Sequence, residues 1–148
     1  MADILLKKLN FVEIDMRKLS IVMRSILTVA FVAAGVQKLI GSEMMVEVFA
    51  QIGMGQWLRV ATGSIEVGAA LLLWLPGWQA VGAALLGGTM IGAVLAHLLI
   101  LGPSAVPGII LGLICSAVLF LHKDQIRQLI AVFELRGTKK NNHKGDLK

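Results

Sequence analysis

Three ionisable side chains, Lys38, Glu66 and His97, sit inside stretches otherwise built of apolar residues. Glu66 lies in the run from Trp57 to Pro76, where an ionised carboxylate is costly unless it faces protein or a wet cavity and has a partner. A carboxylate, an ammonium and an imidazole brought together make a proton relay, with Glu66 or His97 moving the proton while Lys38 polarises a carbonyl. Thr62, one turn from Glu66, and Thr89, two turns from His97, extend the polar set. These five are the candidate ligand-binding or proton-relay residues, and the sequence assigns no catalytic role among them.

Each has an alternative without chemistry. Lys38 and Glu66 can form a purely structural ion pair, or Lys38 can snorkel to the headgroups at one surface as Arg24 does at the other. His97 can be a neutral imidazole bonded to a backbone carbonyl.

The elements that must position these groups are membrane spans. In 148 residues there is room for one domain, and 57% hydrophobic residues with a mean hydropathy of +0.81 lie outside the range of soluble domains. The net charge of +5 does not indicate a nucleic-acid partner. All Lys and Arg except Lys38 and Arg59 lie before Ser25 or after Leu121, which is a positive-inside topology pattern. The single cysteine, Cys115, excludes an intrachain disulfide and a Cys-x-x-Cys relay. Three histidines cannot ligate several b-type haems, and no metal-ligand spacing occurs.

The expected fold is all-α: a polytopic four-transmembrane-helix bundle with short interfacial amphipathic helices. Residues 1–19 form a cytoplasmic interfacial segment, 20–122 the four-helix domain, and 123–148 a cytoplasmic amphipathic helix with a disordered basic tail. Leu19–Ile40 is read as an uncleaved first span, since a signal peptide has a shorter apolar region with its basic residues ahead of it. Glu43, Glu47 and Gln51 recur opposite Met44, Met45, Val48, Phe49 and Ile52, giving an amphipathic helix on the surface or plugging the bundle mouth. The second span runs from Trp57 to the Pro76-Gly77 turn, the third from Val81 to Leu101, and the fourth from Pro107 to Leu121. Trp57, Trp74, Trp78 and Arg24 mark the interfaces. After the last span, Ile126, Leu129, Ile130 and Phe133 share one helical face. Both termini are expected in the cytoplasm.

At roughly 1.5 Å of rise per residue, Lys38 lies near the outer interface, His97 roughly 6 Å inside it and Glu66 roughly 13 Å inside. Side chains lean toward the helix N-terminus, so the three groups point to a common depth in antiparallel spans. Ala84, Gly88, Gly92 and Ala96 form a small-residue stripe on the third span, with Gly108, Gly112 and Ser116 on the fourth. Both stripes are expected at close helix contacts.

Arg24, the Ala-Ala-Gly35-Val-Gln-Lys38-Leu stretch, Phe49 to Gly53, the Gly63-Ser-Ile-Glu66 motif before a Gly/Leu-rich run, and His97 together resemble the DoxX family of small bacterial membrane proteins. The resemblance spans roughly residues 20 to 122. Gly55-Gln56 departs from it, since many members carry proline before the second span. It implies a four-helix bundle in the bacterial inner membrane, and some members are associated with quinone-linked oxidoreductase complexes or with membrane partners of oxidative-stress enzymes.

Three functions follow as expectations. The first is an accessory membrane subunit of a quinone-linked redox system, its outer-half pocket holding a quinone or lipid, with no electron carrier encoded in the chain. The second is a non-enzymatic scaffold or assembly factor. The third, a small-molecule or proton-coupled transporter, lacks ionisable groups in the inner half of the spans to complete a path. Membrane lipids, a partner membrane protein or redox-enzyme subunit, and a second copy of the chain are the expected partners.

Overall fold

The computed structural model describes residues 2–102, 104–128 and 130–131, and their regular structure is entirely helical. Helix α1, Ala2–Ile40, holds no glycine or proline before Gly35, so nothing stops it between the polar N-terminal residues and the apolar stretch. Helix α1 thus runs without a break from residue 2 through the first apolar stretch. The amphipathic face expected on 126–133 and the tail to Lys148 lie mostly outside the described residues. Backbone over 123–128 is helical.

A left-handed Gly41 (φ 69°) ends α1 and lets the chain turn into α2, Glu43–Ile52. Another, Gly53 (φ 77°), ends α2, its N–H donating to the Ala50 carbonyl. Gly55 precedes α3, Gln56–Leu72, at φ 86°. Proline, locked near −65°, cannot take that conformation.

Helix α3 stops short of the Pro76-Gly77 signal. From Leu71 onward the N–H groups of Trp74 and Leu75 bond three residues back, tightening the chain into a turn before α4, Gln79–Ala96. Helix α4 then widens into a π-helical turn, His97–Leu101, closed by Gly102 N–H donating to the His97 carbonyl at 2.9 Å. Helix α5, Val106–Leu121, carries Pro107 in its first turn, where a missing N–H costs nothing.

Residue pairings show that α1, α3, α4 and α5 alternate in direction. Gly35 meets Val67, and Thr28 meets Trp74; Gly82 meets Ala69; Gly108 meets Val94, and Gly112 meets Met90. Leu27 and Phe31 of α1, Ala69 and Ala70 of α3, Leu86 of α4, and Cys115 and Val118 of α5 form one buried cluster. The stretches Ile14–Ile40 and Gln79–Leu101 are long and apolar enough to cross a membrane; α5 is apolar but shorter.

The small-residue stripes divide. Gly108 and Gly112 pack against Val94 and Met90, as expected, but a Cβ on Gly88 or Gly92 would meet nothing within 4 Å. Those two glycines open space beside α4 instead of closing a contact. The tightest backbone approaches are Gly35 with Gly63 and Gly82 with the Ala69 carbonyl, which a Cβ on Gly82 would meet at 2.7 Å.

Candidate functional site

Lys38, on the last full turn of α1, and Glu66, in the middle of α3, are brought together by the close approach of their helices one turn away. A Cβ on Gly35 would lie 2.9 Å from the Gly63 carbonyl oxygen, and one on Gly63 would lie 3.0 Å from the Gly35 oxygen. Only glycine at both positions lets the backbones come so near. In that geometry the Lys38 ammonium donates to both Glu66 oxygens, at 2.9 and 2.7 Å. The carboxylate side chain is 3% exposed and the lysine 15%, so the pair is sheltered with the ammonium on its more open side.

Arg59 fixes the frame. Its Nη1 donates to the Lys38 backbone carbonyl, which also accepts the Gly41 N–H at 3.3 Å, and sets a positive charge against the negative end of α1. Its Nε donates to Gln56 Oε1 at 2.7 Å, and Gln56 in turn donates to the Val46 carbonyl of α2 at 3.0 Å. By sequence alone Arg59 is singled out only as a basic residue outside the two terminal clusters. The signal was its spacing: Arg59, Gly63 and Glu66 recur at four and three residues, on one face of α3.

Beside the ion pair is a cavity of about 580 Å³ between α3 and α4, roofed by Phe49 and Ile52 of α2. Lys38, Thr62, Glu66 and Thr89 supply its polar side chains, and the remaining wall is apolar, including Leu58, Ile65, Leu85 and Leu99. Thr62 donates its proton to the Leu58 and Arg59 carbonyls and Thr89 to that of Leu86, so each hydroxyl proton is committed and each oxygen keeps acceptor capacity. Gly88 and Gly92 line the same cavity, the role of the open space found beside them.

His97 does not line this cavity. Of the expected set, Lys38 and Glu66 are in contact, and Thr62 and Thr89 line the cavity beside them.

The interface candidates fall into two sets. Trp57 and Trp78 are exposed, as is Trp74, but the Trp74 ring also carries the Arg24 guanidinium 4.9 Å from its centroid. The Trp74 indole N–H donates to Thr28 at 2.8 Å. Arg24 is therefore stacked within the bundle, where snorkelling alone was one alternative. Sequence reasoning also missed the polar group around it: Ser20, Gln79, His122 and Gln125. Among the described residues no group of three or more His, Cys, Asp or Glu side chains could hold a metal ion.

The described residues form an all-helical fold in which two helices are long and apolar enough to cross a membrane and a sheltered Lys–Glu pair borders an apolar cavity, as suits the membrane protein that its family makes it. The chain belongs to the DoxX-like family, whose model matches residues 22–120, the stretch that contains both members of the ion pair. No curated protein and no solved structure matches it significantly.

Proposed function

We propose that this chain is a four-span accessory subunit of a quinone-linked redox system, seated in the bacterial inner membrane with both termini in the cytoplasm. In this topology α1, α3, α4 and α5 are the spans, and the Lys38–Glu66 cavity lies in the outer half. The observation that carries the reading is the ion pair at the wall of an otherwise apolar cavity of about 580 Å³. A paired carboxylate and ammonium present no net charge, so the site suits a neutral amphiphile with a polar head and an apolar body. The Lys38 ammonium can donate to a quinone carbonyl, while Thr62 and Thr89 accept from a quinol hydroxyl. Electrons would come from a partner subunit, and this chain would orient the head group and move its protons through Glu66.

Native mass spectrometry of the detergent-purified protein with a short-chain ubiquinone analogue tests this. The expected result is one quinone per chain, lost in the Lys38→Met, Glu66→Gln double variant, which keeps the fold by removing both charges. Equal retention by the double variant and wild type would remove the cavity from the reading. A stoichiometric bound protein without a quinone would favour a scaffold.

A further inference from the structure

Fourteen residues before Lys38 on α1, or about 21 Å along the helix, Arg24 stands at a second cavity, of about 500 Å³. Its polar lining is Arg17, Ser20 and Arg24 of α1, Gln79 at the start of α4, and His122 just beyond α5, with no carboxylate among the lining residues. Arg24 is held in place by the Trp74 ring, yet its Nε is buried and has no hydrogen-bond partner among the described residues. A buried guanidinium N–H without a partner is the unfinished half of a charge-assisted hydrogen bond.

The neighbouring network fixes which protons are available. The Ala80 backbone N–H can only donate, so the Gln125 Oε1 that faces it at 3.1 Å must be the oxygen. Gln125 Nε2 then donates to Gln79 Oε1 at 2.7 Å and stands 3.5 Å from His122 Nδ1. With His122 Nδ1 assigned as the acceptor in this contact, Nε2 carries the proton and donates it to Ser20 Oγ at 3.0 Å. The Ser20 hydroxyl proton and the Gln79 amide nitrogen are left as donors for the cavity that both residues line. Two guanidiniums, a hydroxyl and an amide around one space, with no carboxylate among its lining residues, have the chemistry of an oxyanion site.

We propose that this pocket binds a phosphate-ester oxyanion, with Arg24 and Ser20 as its principal donors. Met16, Ile21 and Leu121 add apolar lining, and Trp74 and Trp78 are exposed nearby, which suits the headgroup and glycerol portion of an anionic phospholipid. A soluble phosphate ester has the same recognition chemistry without the apolar part. This site is separate from the ion-pair cavity and does not depend on the quinone reading.

The test is a tryptophan-emission titration of the full chain in non-ionic detergent, with Trp74 stacked on Arg24 as the reporter. The probes are dihexanoylphosphatidylglycerol, dihexanoylphosphatidylcholine and inorganic phosphate. Saturable binding of the phosphatidylglycerol, at least ten-fold tighter than the choline lipid, is expected. It should weaken at least ten-fold in Arg24→Gln and several-fold in Ser20→Ala, a small change that keeps the helix. Arg127→Gln, which alters only an exposed pair with Asp124, should bind as wild type does. Inorganic phosphate binding as tightly as the lipid would uphold the oxyanion site and identify a soluble source. No saturable shift with either anion, or wild-type affinity in both Arg24→Gln and Ser20→Ala, would overturn the proposal; Ser20→Ala alone decides if Arg24→Gln does not fold.

Discussion

The Gly35 and Gly63 backbones touch across the α1–α3 interface, each glycine filling the space where the other's Cβ would collide with a carbonyl oxygen. One turn along α1 and about one turn along α3, the same approach sets Lys38 within 2.9 and 2.7 Å of the two Glu66 oxygens. Helix packing and ion pairing are thus one feature: separating the backbones lengthens the hydrogen bonds.

Gly35→Ala should therefore destabilise the protein by about 1–3 kcal/mol, since the new methyl meets backbone and branched side-chain atoms that cannot move aside cheaply. Gly68→Ala, where an added Cβ meets nothing within 4 Å, should be neutral or slightly stabilising through helix propensity. Thermal unfolding of the two variants in detergent checks this, and equal melting temperatures would count against the contact.

Removing one charge of the buried pair should cost much more than removing both. Glu66→Gln leaves an ammonium without its partner, an expected loss of about 3–5 kcal/mol, and adding Lys38→Met should restore most of it. A double-mutant cycle measured by thermal unfolding reads the coupling directly. Strict additivity would mean that the two groups do not stabilise each other.

Gly92→Leu distinguishes a cavity-lining glycine from a packing glycine. The leucine should enter the open space, leaving stability within about 1 kcal/mol of wild type while blocking quinone retention. Unfolding as severe as that of Gly35→Ala would place Gly92 at a helix contact instead.

Acid should weaken the fold through His122, whose pKa lies below its ordinary 6.5 because burial and, secondarily, the Arg24 charge disfavour the imidazolium. Ser20 and Arg24 of α1, Gln79 of α4 and Gln125 face this ring, with Arg17 on the same cavity. The unfolded chain binds the proton more readily, so this contribution is complete above about pH 6.5 and is lost as pH falls from there through the lower folded value. Melting temperatures between pH 7.5 and about pH 5 should fall more steeply for wild type than for His122→Gln. Parallel profiles would show that His122 is not the sensor.

Much of this protein is legible in its residues taken one stretch at a time. Apolar length and the lack of an early Gly or Pro determine that the chain is helical and suited to a bilayer, because those properties act within a single helix. Glu66 and Lys38 stand out for a similar reason: a charge in an apolar helix demands a partner whatever surrounds it. What the tertiary structure decided is azimuth and proximity. It left His97 out of the lining of the cavity beside Lys38 and Glu66, and it distinguished the Gly35–Gly63 contact from the open Gly88 and Gly92, although all four glycines look alike in sequence. It also assembled Ser20, Arg24, Gln79, His122 and Gln125 from distant parts of the chain. Such groupings depend on which faces of several helices meet, and that is settled only when all of them pack together.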